Sequence, residues 1–367
     1  MRIAIVVVIA LHAAIHVLGF VKGLGLAEVA QLSQPISRPV GVAWLGAGLA
    51  LLLSAVLFGA RVPLWWGVAV VAALGSQALI MGAWSDAKFG TIANVIVLAL
   101  ALGAAAEQRF VGQANRITDE LLAGAEDPRP ISAEALATLP PVVRAWLERS
   151  GAAQTPAPRV IRLRQRGEMQ LAPGQGFRGV EATQHFRSEP PAFSWQVGLT
   201  MFGVPIVGQD TWIGGRGRMH ITLSGLVPVV DAADERIDQG ALLRYLGETV
   251  WFPAAALSPH ITWAQKGEQS AEATLRYGDV AASALFQFDA EGRFSSLSAD
   301  RYFGGGPDAQ LRPWTVRATS WARVPSAGVE IPDRGEVVWQ LPEGEFVFYR
   351  FAITAIDYDA ADAFPPP

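Results

Sequence analysis

Cysteine is absent from all 367 residues. That excludes disulfides, thiolate catalysis and cysteine-ligated metals. Charge is scarce as well, at 17% Asp, Glu, Lys and Arg against ~25% in an ordinary soluble chain. The scarcity is local. Up to Arg109 there are six basic residues (Arg2, Lys22, Arg38, Arg61, Lys88, Arg109) and three acidic ones (Glu28, Asp86, Glu107). The 258 residues that follow hold 23 of the 29 basic and 30 of the 33 acidic groups, an ordinary composition with net charge −7. A basic surface is lacking, which argues against a nucleic-acid partner. No HExxH or HxH spacing relates His185, His220 and His260, so no metal site is expected. No GxSxG nucleophile motif occurs. "IGGRGR" (213–218) joins two strands rather than a strand to a helix, and so lacks the context of a phosphate cradle. No cofactor is expected.

What the first third does contain is four charge-free windows of 19, 22, 24 and 18 residues. A helix that crosses a bilayer needs ~20 mostly apolar residues, and a helix satisfies its backbone groups internally. Spans are predicted at about 3–21, 40–59, 63–84 and 89–106, within a four-helix transmembrane domain over residues 1–109. Arg2 and "IAIVVVIAL" also fit a signal peptide. His12 and His16 interrupt that run, however, and three more spans follow it. "WSDAKFGT" (84–91) reads as a wet turn between the third and fourth spans. Trp84 and Phe89 suit the interface, Ser85 or Asp86 suits a helix cap, and Lys88 can snorkel.

Two polar features remain inside the spans. His12 and His16 are four residues apart and share a helix face. They are the only histidines in the spans, so a bis-histidine haem within one chain is excluded. Gln77 and Asn94 are their expected partners in an interhelical hydrogen-bond network, with a proton or metal site as the alternative. Loop charge, four basic groups against three, leans toward a cytoplasmic soluble domain on the bacterial inner membrane and leaves the side unresolved.

Residues 110–158 read as a helical connector. "NRITDELLAG" (115–124) is a short amphipathic helix with a glycine stop, and "DPRP" (127–130) breaks it. Ser132 caps "AEALATL". "PPVVRAWLERSG" (140–151) starts with prolines and ends at Gly151. Val142, Val143, Trp146 and Leu147 form one stripe of that helix.

From Arg159 the hydrophobic period changes to two. In "VIRLRQRGEMQL", Ile161, Leu163, Gly167 and Met169 share one face, while Arg162, Arg164, Arg166 and Glu168 take the other. Turn signals at "PGQG", "GGRG", "DAEG" and "PEGE" punctuate about eleven or twelve strands in antiparallel hairpins. One helix interrupts them at 239–252, with Asp238 as its cap and Pro253 as its stop. The predicted fold is therefore a four-helix transmembrane domain plus an α+β soluble domain. The latter, over residues 159–367, is a large curved antiparallel sheet, a half-open barrel with an inserted helix.

Several phrases carry a family likeness. "LGFVKGLGLA", "QPISRPVGVAW", "SQALIMGAWSDAKFGTIANVIVLAL", "RYLGETVWFP", "DRYF" and "GEVVW" resemble an uncharacterised bacterial membrane-protein family, a domain of unknown function. That resemblance implies no activity. The sheet-plus-helix pattern is more loosely similar to the half-barrels of bacterial lipoprotein carriers, which hold acyl chains.

Candidate site residues follow from polar groups on apolar elements. Arg244 and Glu248 lie four apart on the inserted helix, either as a polar pair at a pocket mouth or as a helix-surface ion pair worth ~0.3–0.5 kcal/mol. Asp210 shares a strand face with Trp212 and Ile206, so it points inward and needs a partner. Arg164, Arg166 or Arg301 is expected to supply it. Trp195, Trp212 and Trp251 either fill a large core or line a greasy pocket. The reading that unites these features is a membrane-anchored, non-catalytic binding protein for a hydrophobic or lipid-like ligand. Its partners would be the bilayer and that ligand. Two alternatives stay open: a module that docks another membrane protein, and an enzyme using inward Arg, Asp and Glu.

Overall fold

The computed structural model describes residues 2–123, 129–201, 203–304, 308–360 and 362–367. They form two compact units. One comprises the residues up to Phe110 together with Ser224–Val227, and the other comprises Val111–Leu223 and Pro228–Pro367.

In the first unit the charge-free windows become helices: α1 (Arg2–Leu24), α2 (Arg38–Gly59), α3 (Trp65–Gly82), the single turn α4 (Trp84–Ala87) and the start of α5 (Gly90–Ala123). α1, α2, α3 and α5 are long and apolar enough to cross a membrane. Small residues let α1 and α2 approach closely. A Cβ added to Gly19 would lie 2.5 Å from the Trp44 ring, and one on Gly23 would lie 2.7 Å from the Gly41 Cα. The turn at 84–87 uses its carboxylate differently from the expected cap. Asp86 accepts hydrogen bonds from the Ser33 amide (2.6 Å), the Ser33 hydroxyl (2.8 Å) and the Gln34 amide (3.3 Å). It thereby fastens the loop between α1 and α2 to the turn between α3 and α5. Those hydrogen bonds, the Ser33 hydroxyl first, hold its carboxyl below the ordinary carboxylate range.

The largest departure from expectation in this region is α5. It runs unbroken to Ala123, so the predicted fourth span and the predicted amphipathic helix at 115–124 are one helix. The charges from Glu107 to Glu120 end the apolar run without breaking the backbone. Gly112 is the only glycine or proline between them, and one glycine costs only ~1 kcal/mol. The expected stop at Gly124 and the break at Asp127–Pro128 lie outside the described residues. α6 (Ala133–Ala137) is capped as predicted by Ser132, which accepts from the Ala135 amide. α7 (Pro141–Ser150) also matches, with Pro141 in its first turn and Gly151 at φ +85° closing it.

The second unit is built on a thirteen-stranded antiparallel sheet. Its strands are β1 (Val160–Met169), β2 (Arg178–Arg187), β3 (Ala192–Met201), β4 (Val204–Ile213), β5 (Arg216–Leu223), β6 (Val227–Ala232), β7 (Ile261–Gly267), β8 (Ser270–Tyr277), β9 (Val280–Phe288), β10 (Phe294–Phe303), β11 (Gln310–Arg323), β12 (Glu330–Leu341) and β13 (Gly344–Tyr358). Their spatial order is β6-β5-β4-β3-β2-β1-β13-β12-β11-β10-β9-β8-β7. Two hairpin meanders are thus joined at the middle, where β1 pairs with β13. The sheet curls around α8 (Glu235–Glu248), which touches β4 and β5 on one wing and β8, β9 and β10 on the other.

α8 begins and ends four residues before the predicted 239–252. Asp234, not Asp238, is its cap, accepting from the Arg236 and Ile237 amides at 2.9 and 3.0 Å. Asp238 is buried and has a tertiary task instead. It accepts from the Gly217 amide at 2.6 Å and pairs with Arg216 at 2.8 Å, which ties the helix to β5. Residues 249–251, predicted helical, tighten into a 3-10 turn ahead of Pro253.

The concave face carries the core. Leu242, Leu243 and Leu246 of α8 are fully buried beside Phe186, Phe193 and Phe286 of the sheet. Trp146 of α7 joins the same cluster, 5.6 Å from the Phe288 ring. The convex face of β2–β4 is covered by the end of α5. There Thr118 donates to Ser194 at 2.9 Å, and Gln209 donates to Ser194 at 3.1 Å and to the Ala114 carbonyl at 3.3 Å. A glycine sets the seat of α8: a Cβ on Gly217 would meet the Ile237 carbonyl at 2.7 Å and the Ala241 Cβ at 2.9 Å. Gly217→Val is expected to lower the stability of this unit by about 1–3 kcal/mol through overpacking. Denaturant unfolding followed by tryptophan fluorescence checks this, and an unchanged midpoint refutes it.

Candidate functional site

Antiparallel register builds a polar row across the concave face. Gln184, Trp195 and Asp210 are direct neighbours on β2, β3 and β4. Alternation sends all three side chains inward, where α8 passes over them. Asp210 meets Arg244 at 2.8 Å, and Arg244 meets Glu248 at 2.9 Å one helical turn away. Gln184 donates to Glu248 at 2.6 Å, and Gln165 on β1 donates weakly to Gln184 at 3.4 Å while accepting from the Tyr349 hydroxyl at 3.1 Å. The Arg244 guanidinium lies 4.5 Å above the Trp195 ring. One network therefore holds four of the six ligand-site residues named from the sequence: Trp195, Asp210, Arg244 and Glu248. Trp212 is fully buried against Tyr277, and Trp251 donates its indole N–H to the Pro332 carbonyl between Phe186 and Phe351. Neither is hydrogen-bonded to the network among the described residues.

The alternation also decides which arginine serves Asp210. Arg164 and Arg166 sit on the convex face. Arg164 lies over the Phe364 ring, and Arg166 pairs with Glu181. Arg244 takes the role expected of them, because α8 lies inside the curl. The Arg244–Glu248 pair is correspondingly not a helix-surface pair.

Depth and access coexist here. The side chains of Asp210, Arg244 and Glu248 keep 13%, 15% and 15% of their exposure while set deep among protein atoms. Burial pushes the carboxyls of both Asp210 and Glu248 above the ordinary range, against the pull of Arg244. Arg301 stands on the same inward face of β10. Its guanidinium lies 5.2 Å from the Trp314 ring, close to Gly240 of α8. Burial first, and then the charge of Arg244, push it down to about 10. Two residues further along β10, Phe303 begins an aromatic wall, with Trp339 at 5.0 Å and Phe346 at 6.3 Å between ring centroids. This wall was not singled out from the sequence, although the alternation of "SADRYF" already puts Arg301 and Phe303 on one face.

On the convex side His185 is fully buried and accepts from the Phe364 amide at 2.9 Å. Burial, and then the charge of Arg162, hold it down at about 4, and it is neutral at pH 7. An unfolded histidine titrates near 6.5. Between pH 6.5 and about 4 the unfolded chain therefore binds a proton that the folded chain does not, and stability falls by about 3 kcal/mol. No further loss from this group is expected below that window. Unfolding midpoints measured across pH should show this limb, and His185→Gln should flatten it.

The helical unit has a polar cluster of its own. His12 Nε2 donates to Asn94 Oδ1 at 2.9 Å, Asn94 Nδ2 donates to Gln77 Oε1 at 3.0 Å, and Gln77 donates to Thr91 at 3.1 Å. His16 donates from Nδ1 to the His12 carbonyl at 2.9 Å, and its Nε2 accepts from the Ser76 hydroxyl at 2.8 Å. All four polar residues named inside the spans thus sit in one hydrogen-bonded cluster, joined by Thr91 and Ser76. A cavity of about 410 Å³ opens beside His12, His16 and Trp44. Among the described residues no group of three or more His, Asp or Glu could hold a metal ion.

A family pattern of unknown function matches residues 129–351, more than half of the chain and all of α8 with its polar network. The chain belongs to the DUF6544 family. Two solved structures are similar to this DUF6544 member. One is a DUF1329 family protein from Desulfovibrio piger ATCC 29098, at 9% identity and a TM-score of 0.36, covering 64% of this chain and 95% of that one. The other is a domain described as an outer membrane lipoprotein-sorting protein from Vibrio parahaemolyticus, at 8% identity and a TM-score of 0.33, covering 59% and 92%. No curated protein matches the chain.

Proposed function

We propose that this protein is a membrane-anchored binding protein that holds a hydrophobic, lipid-like ligand in the curl of its sheet and catalyses no reaction on it. The observation that carries this reading is a charged network that is deep yet still touched by solvent, beside an aromatic wall on the same concave face. Burying an ion network costs desolvation free energy, which a structural role alone repays poorly. One that keeps some exposure on the same face as apolar rings suits a ligand with a polar end and a greasy end. Asp210, Arg244 and Glu248 would orient the polar end, and Trp195 would floor it. Four helices of bilayer-crossing length, in the inner membrane, would keep the site where such ligands are delivered.

The test uses full-length protein purified in detergent. Denaturing mass spectrometry should find co-extracted lipid at near one-to-one ratio, and added long-chain amphiphile should change tryptophan emission through Trp195. Lipid-free protein whose fluorescence ignores such amphiphiles would sink the reading.

A further inference from the structure

Arg244, Arg301 and the cross-strand neighbour of Arg301, Arg312, share the concave face, and they differ in how their guanidinium groups are held. Arg244 has a carboxylate at 2.8 Å and another at 2.9 Å. Arg301 has no ion pair and no hydrogen bond among the described residues. It lies over the face of Trp314 and close to Gly240, and it feels the charges of Asp210 and Glu248 without touching either. A guanidinium is seldom left deep in a protein without hydrogen-bonding partners, because its desolvation must be offset. None of its nitrogens is among the sealed, unsatisfied atoms of the described residues. The Trp195 and Trp314 indole N–H groups, one under each arginine, are by contrast enclosed and without acceptors. The unpaired donors of Arg301 therefore stand at the head of the aromatic wall that begins two residues along β10 at Phe303 and continues with Trp339 and Phe346.

We infer that the ligand is an anionic amphiphile whose carboxylate or phosphate head pairs with Arg301 while its chain lies along the aromatic wall. This rests on the ligand-binding reading above and adds the charge of the head. A planar guanidinium suits a carboxylate or phosphate, whose two oxygens match its forked N–H donors. A neutral head would leave those donors unused. Free fatty acids and singly chained phosphate lipids share this chemistry.

The experiment titrates full-length protein in detergent with oleate, oleyl phosphate and oleyl alcohol, three probes with one chain, following tryptophan emission. Wild type is expected to bind at least one of the two anions about tenfold or more tighter than the alcohol. The anion that wins by the larger factor identifies the source as carboxylate or phosphate. Arg301→Gln is expected to abolish that preference with alcohol binding unchanged, and Arg301→Lys to keep part of it. Equal affinity for all three probes in wild type overturns the inference and leaves the binding reading standing. So does an Arg301→Gln loss shared equally by anion and alcohol. Failure of every probe to bind overturns both. Should Arg301→Gln fail to fold, the wild-type preference and the Arg301→Lys variant still decide the matter.

Discussion

Arg244→Met is expected to destabilise the β unit by about 3–5 kcal/mol at neutral pH, the cost of leaving buried carboxylates without their counter-charge. Methionine keeps most of the length and removes the charge, so packing over Trp195 is largely retained. What remains is Asp210 on β4 and Glu248 on α8, with only the more distant Arg301 as counter-charge. Their carboxyls already stand above the ordinary range in the native protein, and loss of Arg244 pushes them higher. A carboxyl whose folded pKa is raised binds its proton more readily folded than unfolded. The penalty is therefore largest above the raised pKa values and is relieved as pH falls through them. The triple variant Arg244→Met, Asp210→Asn, Glu248→Gln is expected to recover most of the loss, since no buried carboxylate is left without its Arg244 partner. Chemical unfolding of the three proteins across pH measures this. A single variant that loses under 1 kcal/mol, or a triple variant no better than the single, would show that the network is solvated and does not act as a unit.

The second large effect concerns the helical unit. Gly41→Leu is expected to separate α1 from α2, because a Cβ at this position already lies 2.9 Å from the Gly23 Cα. Backbone cannot yield as a flexible side chain can. Overpacking of this kind costs about 1–3 kcal/mol, and occasionally more, and without a hydrophobic drive between helices in lipid, close packing is much of what joins them. The shift would also pull His16 away from Ser76 and loosen the cluster of His12, Gln77 and Asn94. The measurement is thermal unfolding in detergent combined with crosslinking of cysteine pairs placed across α1 and α2. Unchanged crosslinking would show that the two helices do not depend on this contact.

Much of this was legible in the residues. Charge-free windows fixed the four apolar helices, and period-two alternation marked the sheet. The i, i+4 spacing paired Arg244 with Glu248. Asp210 was read as inward because it shares a face with Trp212. The rest depended on geometry that local pattern does not carry. Asp234 and Asp238 are equivalent cap candidates in sequence, and only the Gly217 amide, seated against the helix, decides between them. The arginine partner of Asp210 was obscured because α8 lies inside the curl rather than beside it. Alternation alone already turned Arg164 and Arg166 outward. Arg301 gave a weak signal, one basic residue on an ordinary strand, and it acquires meaning only when β10 and α8 meet at Gly240.

The central pairing of β1 with β13 has a consequence for the order of assembly. Its two partners are nearly two hundred positions apart in the chain, for example Ile161 and Tyr358. Each wing can zip locally as a succession of hairpins while the ribosome is still translating. The seam between them can close only once the final strand has emerged, and such distant pairing is intrinsically slow. A premature stop within the second wing, shortly before Gly344, would therefore release two unjoined wings with bare edges, a substrate for proteases rather than a shortened version of the domain.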